Sequence, residues 1–447
     1  MVTLEAPPAR KPKLPDRLLL LPLGRKLVVT QARKQVAKRA RLEHYPAPYA
    51  ILDAWLKYDG DPFVEPNDPS SLKALFEHPT SRNLVRIFFL QERLKGIAKD
   101  VDFAPRHVHV VGAGVMGGDV AAICAQRGLT VTLQDTAPER IAPAIQRAAK
   151  LFKRRLKDPR RVRDALDRLI PDVAGAGAAH ADVVIEAIFE NLDAKRALFA
   201  KVEAVAKPDA VLATNTSSLK LADIAAQFKD PSRLVGIHFF NPVPQLQLVE
   251  VVSGAGTDPA MARKAAAFVR QIDKLPLPAR DSPGFLVNRV LGPYMQNAFR
   301  MLDEGIAPET LDAAMESFGM PMGPIELADT VGLDICLAAG KALAKAAPGD
   351  EAQAPKVLLD KVALGQLGKK TGQGIYRYEK GKPVKGSPGA WDQRMVDALI
   401  DPYLAEARAA LAEHVVEDAD LVDAGLIFGT GFAPFRGGPL HYLESRK

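Results

Sequence analysis

Between residues 106 and 238 short apolar runs alternate with longer stretches of helical periodicity. His107–Val111 reads as a strand, Gly112–Arg127 as a loop running into a helix, and Leu129–Asp135 as a second strand. Further strands are expected at Asp182–Ala187, Ala210–Thr214 and Leu234–His238, with helical stretches between them. Alternation of strand and helix in this order is the mark of a parallel sheet layered with helices. After about residue 283 the strand pattern stops and helical periodicity takes over. Upstream, residues 24–43 carry basic residues at helix-compatible spacing, and Pro62, Pro66 and Pro69 mark a loop. Residues 82–98 show a helical apolar face made by Leu84, Phe88, Phe89, Leu90 and Leu94. Pro7, Pro8, Pro12 and Pro15 give the start the pattern of an extended tail.

The helical part repeats itself weakly. Gly292-Pro293-Tyr294-Met295 is echoed by Asp401-Pro402-Tyr403-Leu404, and Phe318–Pro324 by Gly429–Gly437. Duplicated units of this kind stack to bury a shared core. Between the copies, the glycines of Gly365–Tyr376 imply a tight irregular connection.

Composition narrows the function classes. At 447 residues, 47% hydrophobic and 25% charged, the chain has room for two to four domains and the makeup of a folded protein. The aliphatic cluster Leu18–Leu23 is interrupted by Pro22 and falls far short of the roughly 20 residues a membrane-spanning helix needs. The two cysteines, Cys124 and Cys336, form neither a disulfide framework nor a metal motif, so no metal is expected and the cytoplasm is the simplest compartment. A net charge of +7 suits phosphate-bearing small molecules as well as nucleic acid. Without zinc-finger spacing or an aromatic RNA-binding motif, no nucleic-acid partner is expected.

Chemistry enters at Gly112-Ala113-Gly114-Val115-Met116-Gly117, a GxGxxG pattern that directly follows a Val-rich strand and opens a helix. Gly112 allows the tight turn, Gly114 lets backbone approach a pyrophosphate, and Gly117 lets helix and strand pack closely. Met116 lies within the same turn, whose free N–H groups are placed to bind an anion. Asp135 ends the next strand, where a carboxylate accepts hydrogen bonds from ribose hydroxyls and repels a 2′-phosphate. A Rossmann-type domain binding NAD is the expectation.

Among the eight histidines, His238 stands out because it ends the strand Leu234–Ile237, and ends of parallel strands are where such folds hold ligands. Spacing alone favours a core histidine capping a strand. His107 and His109 have a bland reading beside a strand. The run His238-Phe239-Phe240-Asn241-Pro242-Val243-Pro244, with Leu248-Val249-Glu250-Val251 shortly after, resembles the 3-hydroxyacyl-CoA dehydrogenase family. So do Asn215-Thr216-Ser217-Ser218-Leu219, Pro283–Arg289 and Met322-Gly323-Pro324, so the resemblance runs from about residue 106 to the C-terminus.

That resemblance implies an NAD-dependent oxidoreductase of β-oxidation, acting on L-3-hydroxyacyl-CoA to give 3-ketoacyl-CoA. It makes His238 the general acid/base and Glu250 the residue that orients its ring. Ser217 and Asn288 are implied to hydrogen-bond the reacting oxygen or its surroundings. Asn241 is implied to lie beside the nicotinamide, and Glu190 and Lys195 to contact the cofactor with Gly112, Gly114, Met116, Gly117, Asp135 and Ser217. Each residue also has a plain reading. Ser217 could cap a helix starting near Leu219, Asn288 could be one polar residue on a buried helix, Glu250 a strand-edge acid and Lys195 a solvated helix residue. The basic run Lys150, Lys153, Arg154, Arg155 and Lys157 fits either CoA phosphates or, slightly better, a solvated helix face.

The expected architecture is a tail and linker-like helical segment over 1–105, a Rossmann-type NAD-binding domain over 106–282, a first helical dehydrogenase domain over 283–380 and a second, duplicated one over 381–447. The duplicated part and residues 24–47 also resemble the multifunctional fatty-acid oxidation α-subunit, in which a hydratase domain precedes this region. No counterpart of that domain occurs before residue 100, so no enoyl-CoA hydratase activity is expected. A thiolase-like subunit or a second copy remains open as partner. The rival readings are a catalytically impaired structural subunit of such a complex and a dehydrogenase of a free hydroxy acid.

Overall fold

The computed structural model describes residues 21–61, 63–346 and 354–446. The proline tail at residues 7–15, most of the Leu18–Leu23 cluster and Pro62 lie outside them. Two compact units are present, one formed by the described residues up to Arg86 with Phe435–Gly437, the other by Ile87–Pro434 and Gly438 onward.

In the first unit the helices Pro22–Ala37 and Ala47–Tyr58 pack as a pair. Tyr49 Oη donates to the Ala40 carbonyl at 2.7 Å, and Arg33 pairs with Asp53. The His44 ring stacks on Phe435 with centroids 4.1 Å apart. The helix expected over 82–98 spans Pro79–Gly96. Its apolar face is only half used, because Leu90 and Leu94 are buried whereas Phe88 and Phe89 are more than half exposed.

The second unit is built on an eight-stranded sheet. Its strands are β1 His107–Val111, β2 Thr130–Gln134, β3 Leu169–Pro171, β4 Val183–Glu186, β5 Val211–Thr214, β6 Leu234–Phe239, β7 Leu248–Ser253 and β8 Leu275–Arg280. Their spatial order is β3-β2-β1-β4-β5-β6-β7-β8. All neighbours from β3 through β6 run parallel, as the alternating pattern predicts. The sequence reading missed β3, β7 and β8. β7 turns back antiparallel to β6, and β8 runs parallel to β7. Helices Val115–Gln126 and Pro259–Gln271 bury their alanine-rich faces in the core with the valines of β1, β4 and β5. Small side chains let backbone approach closely, which a densely packed α/β layer needs.

The region after residue 283 is helical as expected, but not purely so. A two-stranded hairpin, β9 Arg377–Glu379 with β10 Lys382–Val384, follows the glycine-rich connection. The internal repeat is structural. Helices Val287–Asp303 and Gln393–Ala412 each carry an internal proline, Pro293 and Pro402, and the tyrosines that follow meet edge to face at 6.0 Å. In each copy a buried aspartate accepts the N–H of the residue after a Gly-Pro pair that starts the next helix: Asp312 from Ile325 and Asp423 from Leu440, both at 2.8 Å.

One polar chain runs through the sheet. His107 and His109 lie within β1 and share Thr132 Oγ1 on β2, at 2.9 and 2.8 Å, and His109 Nε2 meets Gln134 Oε1 at 3.0 Å. Burial lowers the pKa of both imidazoles, so both are neutral in the fold. A histidine whose folded pKa lies below its unfolded one draws stability from being uncharged. That stability is lost as pH falls through the ordinary histidine range of about 6.5. His109→Gln, neutral at every pH, is therefore expected to flatten the fall in urea-unfolding free energy between about pH 7.5 and 5.5. An unaltered slope would remove His109 as its source.

Candidate active site

The glycine turn has the geometry its motif demands. Gly112 sits at φ +104°, and a Cβ there would lie 2.5 Å from the Ala187 carbonyl oxygen. A Cβ at Gly117 would lie 1.9 Å from the Gly112 carbonyl oxygen, so only glycine lets the helix start where it does. At Gly114 a Cβ would meet no protein atom within 4 Å, and the residue is exposed. The backbone at Gly114 is thus the open face of the turn, at the N-terminus of the helix Val115–Gln126. Aligned N–H dipoles there suit a diphosphate. Asp135 Oδ2 accepts from Ala113 N at 2.9 Å, which ties the β2 carboxylate to the turn. Its other oxygen accepts from Thr136 N at 2.7 Å. Met116 is half-buried and packs its side chain on the core, leaving its backbone in the first helical turn. These residues fit NAD: a cradle without side chains for the diphosphate, and an acid for the ribose.

A second network lies at the ends of β4 and β5. Glu186 ends the otherwise apolar β4 and is fully buried. It accepts Lys195 Nζ at 2.6 Å, Thr214 Oγ1 at 2.6 Å and Ile188 N at 2.8 Å. Lys195 is 1% exposed, so its reading as a solvated helix residue is wrong. The same ammonium lies 3.2 Å from Glu190 Oε2. Glu190 Oε1 gathers the following loop: it accepts from Thr216 Oγ1, from the Ser217 and Ser218 amides at 3.1 and 3.2 Å, and from Ser218 Oγ at 2.9 Å. Burial alone raises the Glu190 carboxyl pKa, but the Lys195 charge and these donors outweigh it and lower it. The loop that carries Ser217 is therefore fastened to an ionised acid. Ser217 is exposed and does not cap the next helix, which starts at Leu221 and has its first amide bound by Asp281.

The third part joins sheet to helices. His238 on β6 and Glu250 on β7 are direct cross-strand partners, so their side chains share one face. His238 Nδ1 meets Glu250 Oε2 at 2.8 Å. Glu250 is fully buried between two strands, not at a strand edge, and its other oxygen accepts the amides of Leu286 and Val287 at 3.0 and 2.9 Å. Those amides open the helix Val287–Asp303, whose dipole favours a carboxylate at that end. Asn288, half-buried, follows directly on its first turn. The imidazole is also confined by Phe240 and Phe285, edge-on at 4.6 and 5.4 Å. Phe285 holds a positive φ of 51°, a conformation rare outside glycine and common where a site stores strain. Asn215 Oδ1 accepts Phe239 N at 2.9 Å, which binds the loop after β5 to the end of β6 beside His238. Asn241, exposed, lies two residues further on, and its bond to Pro242 is cis.

The structure thus brings His238, Glu250 and the first turn with Asn288 into contact, and links them through Asn215 to the Glu190–Lys195 network with Ser217. Sequence reasoning gave no role to Glu186, Thr214, Asn215 or Phe285. Glu186 had a readable signal, a carboxylate closing the run Val183-Val184-Ile185. The basic run behaves as a solvated face at Lys150, Lys153, Arg154 and Lys157, while Arg155 reaches the Pro244 carbonyl.

A mostly parallel sheet with a glycine turn, a carboxylate tied to that turn and a histidine–carboxylate pair defines a nucleotide-dependent dehydrogenase class. The chain belongs to the 3-hydroxyacyl-CoA dehydrogenase family: residues 107–282 match its NAD binding domain and 284–378 its C-terminal domain. It is 34% identical over 465 residues to the fatty acid oxidation complex subunit alpha of Pseudomonas aeruginosa, covering 98% of this chain and 65% of that one. The chain thus spans about two-thirds of the length of such curated relatives. A 3-hydroxybutyryl-CoA dehydrogenase of Escherichia coli K12 superposes with TM-score 0.68 at 28% identity, over 77% of this chain and 92% of that one. The (S)-3-hydroxybutyryl-CoA dehydrogenase of Ralstonia eutropha does so at 0.59 and 34% identity, over 62% and 100%.

The turn gives a direct test. Gly117→Ala is expected to abolish measurable NADH binding by fluorescence titration while far-ultraviolet circular dichroism stays that of the wild type. Wild-type affinity in that variant would show that the turn does not need its close approach.

Proposed function

We propose that the chain oxidises the 3-hydroxyl of an L-3-hydroxyacyl-CoA to the 3-ketone with NAD as acceptor, as a step of fatty-acid β-oxidation. The observation that carries this is the bond between His238 Nδ1 and the buried Glu250 carboxylate. With Nδ1–H donated to Glu250, the neutral ring keeps its lone pair on Nε2, and Nε2 makes no hydrogen bond to protein among the described residues. Nε2 is then the base. It takes the hydroxyl proton as the C3–H bond gives up its hydride and the C–O bond becomes a carbonyl. Glu250, held by the two helix amides, faces the imidazolium that forms and stabilises it. In the reverse direction the same Nε2 returns the proton.

NAD supplies the two-electron acceptor when bound. Gly112, Gly114, Met116 and Gly117 hold its diphosphate, Asp135 its ribose, and Glu190, Lys195, Ser217 and Asn241 border its nicotinamide end. Ser217 and Asn288 donate to the substrate oxygen and hold C3 in place. A thiolase-like subunit or a second copy is the protein partner we propose, and the cytoplasm the compartment. No described helix is long and apolar enough to cross a membrane, and burial raises the thiols of Cys124 and Cys336 to about 12, which keeps them unreactive.

NADH formation at 340 nm from 3-hydroxybutyryl-CoA and from a long-chain analogue tests this reading. His238→Ala is expected to lower turnover by about 10²–10⁴-fold. Full turnover in that variant would remove His238 as the base. No NADH from either thioester with the wild type would instead favour a structural subunit, and activity on the free 3-hydroxy acid alone a different substrate class.

A further inference from the structure

The dinucleotide turn has a neighbour that the GxGxxG pattern does not include. Gly118, directly after Gly117, is not required by the fingerprint. A Cβ at Gly118 would lie 2.7 Å from Ala144 Cβ and 2.8 Å from Arg147 Nη2. Both belong to the helix Pro138–Leu156, which follows β2. Glycine at 118 therefore admits that helix close enough to lay the Arg147 guanidinium on the first turn of the helix Val115–Gln126. There Nη2 donates to the Gly114 carbonyl at 2.8 Å. The Arg147 Nε is buried without a hydrogen bond, 3.9 Å from Asp119 Oδ1 in the next turn. Burial raises the Asp119 carboxyl pKa and the Arg147 charge opposes it, so this acid balances the guanidinium weakly.

Resting on the NAD reading above, we propose that Arg147 is a positioning residue for the dinucleotide, pinning the Gly114 carbonyl and adding a full positive charge behind the amides that receive the diphosphate. Two physical effects follow. The Gly114 carbonyl already accepts Gly118 N at 3.1 Å, and the guanidinium is a second donor to it, so the Gly114–Val115 peptide is held from two sides and its N–H is oriented before ligand arrives. The guanidinium, always charged, reinforces the partial positive charge of the helix N-terminus at short range. The helix after β2 thus serves the cofactor through Arg147, twelve residues beyond Asp135 and on the same connection as that ribose acid.

The test is NADH affinity of the purified full chain by fluorescence titration, at low and at moderate ionic strength. Arg147→Met is expected to weaken NADH binding about tenfold, with a smaller difference from wild type as salt rises. Arg147→Lys, which keeps the charge and one donor, is expected to recover most of it, and Arg147→Gln, which keeps a donor alone, only part. With 3-hydroxybutyryl-CoA the loss should fall on KM for NAD and leave kcat at saturating NAD within about twofold. Gly118→Ala, which displaces the guanidinium without removing it, should reproduce the Arg147→Met phenotype. Wild-type affinity in Arg147→Met, or equal losses in Met and Lys variants with no salt dependence, would overturn the proposal and leave Arg147 a packing residue. A wild-type chain that binds no NADH would instead overturn the NAD reading itself.

Discussion

The carboxylate of Glu250 is the point on which the molecule turns. It is fully buried and reaches three donors, one from the sheet and two from the start of a helix. A buried charge is tolerated only when it is paired and hydrogen-bonded. Losing either side would leave an anion in the core short of donors, at a penalty of several kcal/mol. The acid that holds the His238 ring therefore also locks the first helix of the helical region onto the sheet. The geometry of the candidate site and the geometry of the fold share one side chain.

This coupling depends on the reversal of β7. Antiparallel pairing puts residue 250 directly opposite residue 238, so the two side chains rise from one face at adjacent positions. The turn Pro283-Gly284-Phe285 then delivers the helix amides and a phenyl ring to the same spot. A comparable arrangement orders the loops after β4 and β5. Glu186 holds Lys195, Lys195 faces Glu190, and Glu190 gathers the amides of Ser217 and Ser218. Such buried networks fix loop conformation, which suits groups that must meet a substrate in one orientation.

Much of this was legible in the sequence, and the misses share a cause. The parallel core strands and the glycine turn were readable because their rules are local: apolar runs, alternation with helices, and glycines where a side chain would clash. His238 and Glu250 were placed in their roles by resemblance, since their pairing depends on a strand reversal that periodicity alone did not reveal. β7 was not read as a strand because Glu250 interrupts its apolar run, and Leu275–Arg280 carries two prolines that argue against a strand. Lys195 looked solvated because a lysine near a helix start normally is. Its burial is set by Glu186, nine residues earlier on another element, and no local pattern reports that. The apolar face of residues 82–98 was read correctly as helical, yet Phe88 and Phe89 stay exposed, because periodicity marks a face without saying what covers it.

The most direct measurement is the protonation pattern of the His238 ring, read by nitrogen-15 NMR of histidine-labelled protein at neutral pH. The expected pattern is a proton on Nδ1, hydrogen-bonded to Glu250, and a bare Nε2. A ring carrying its proton on Nε2, with Nδ1 bare, would contradict it.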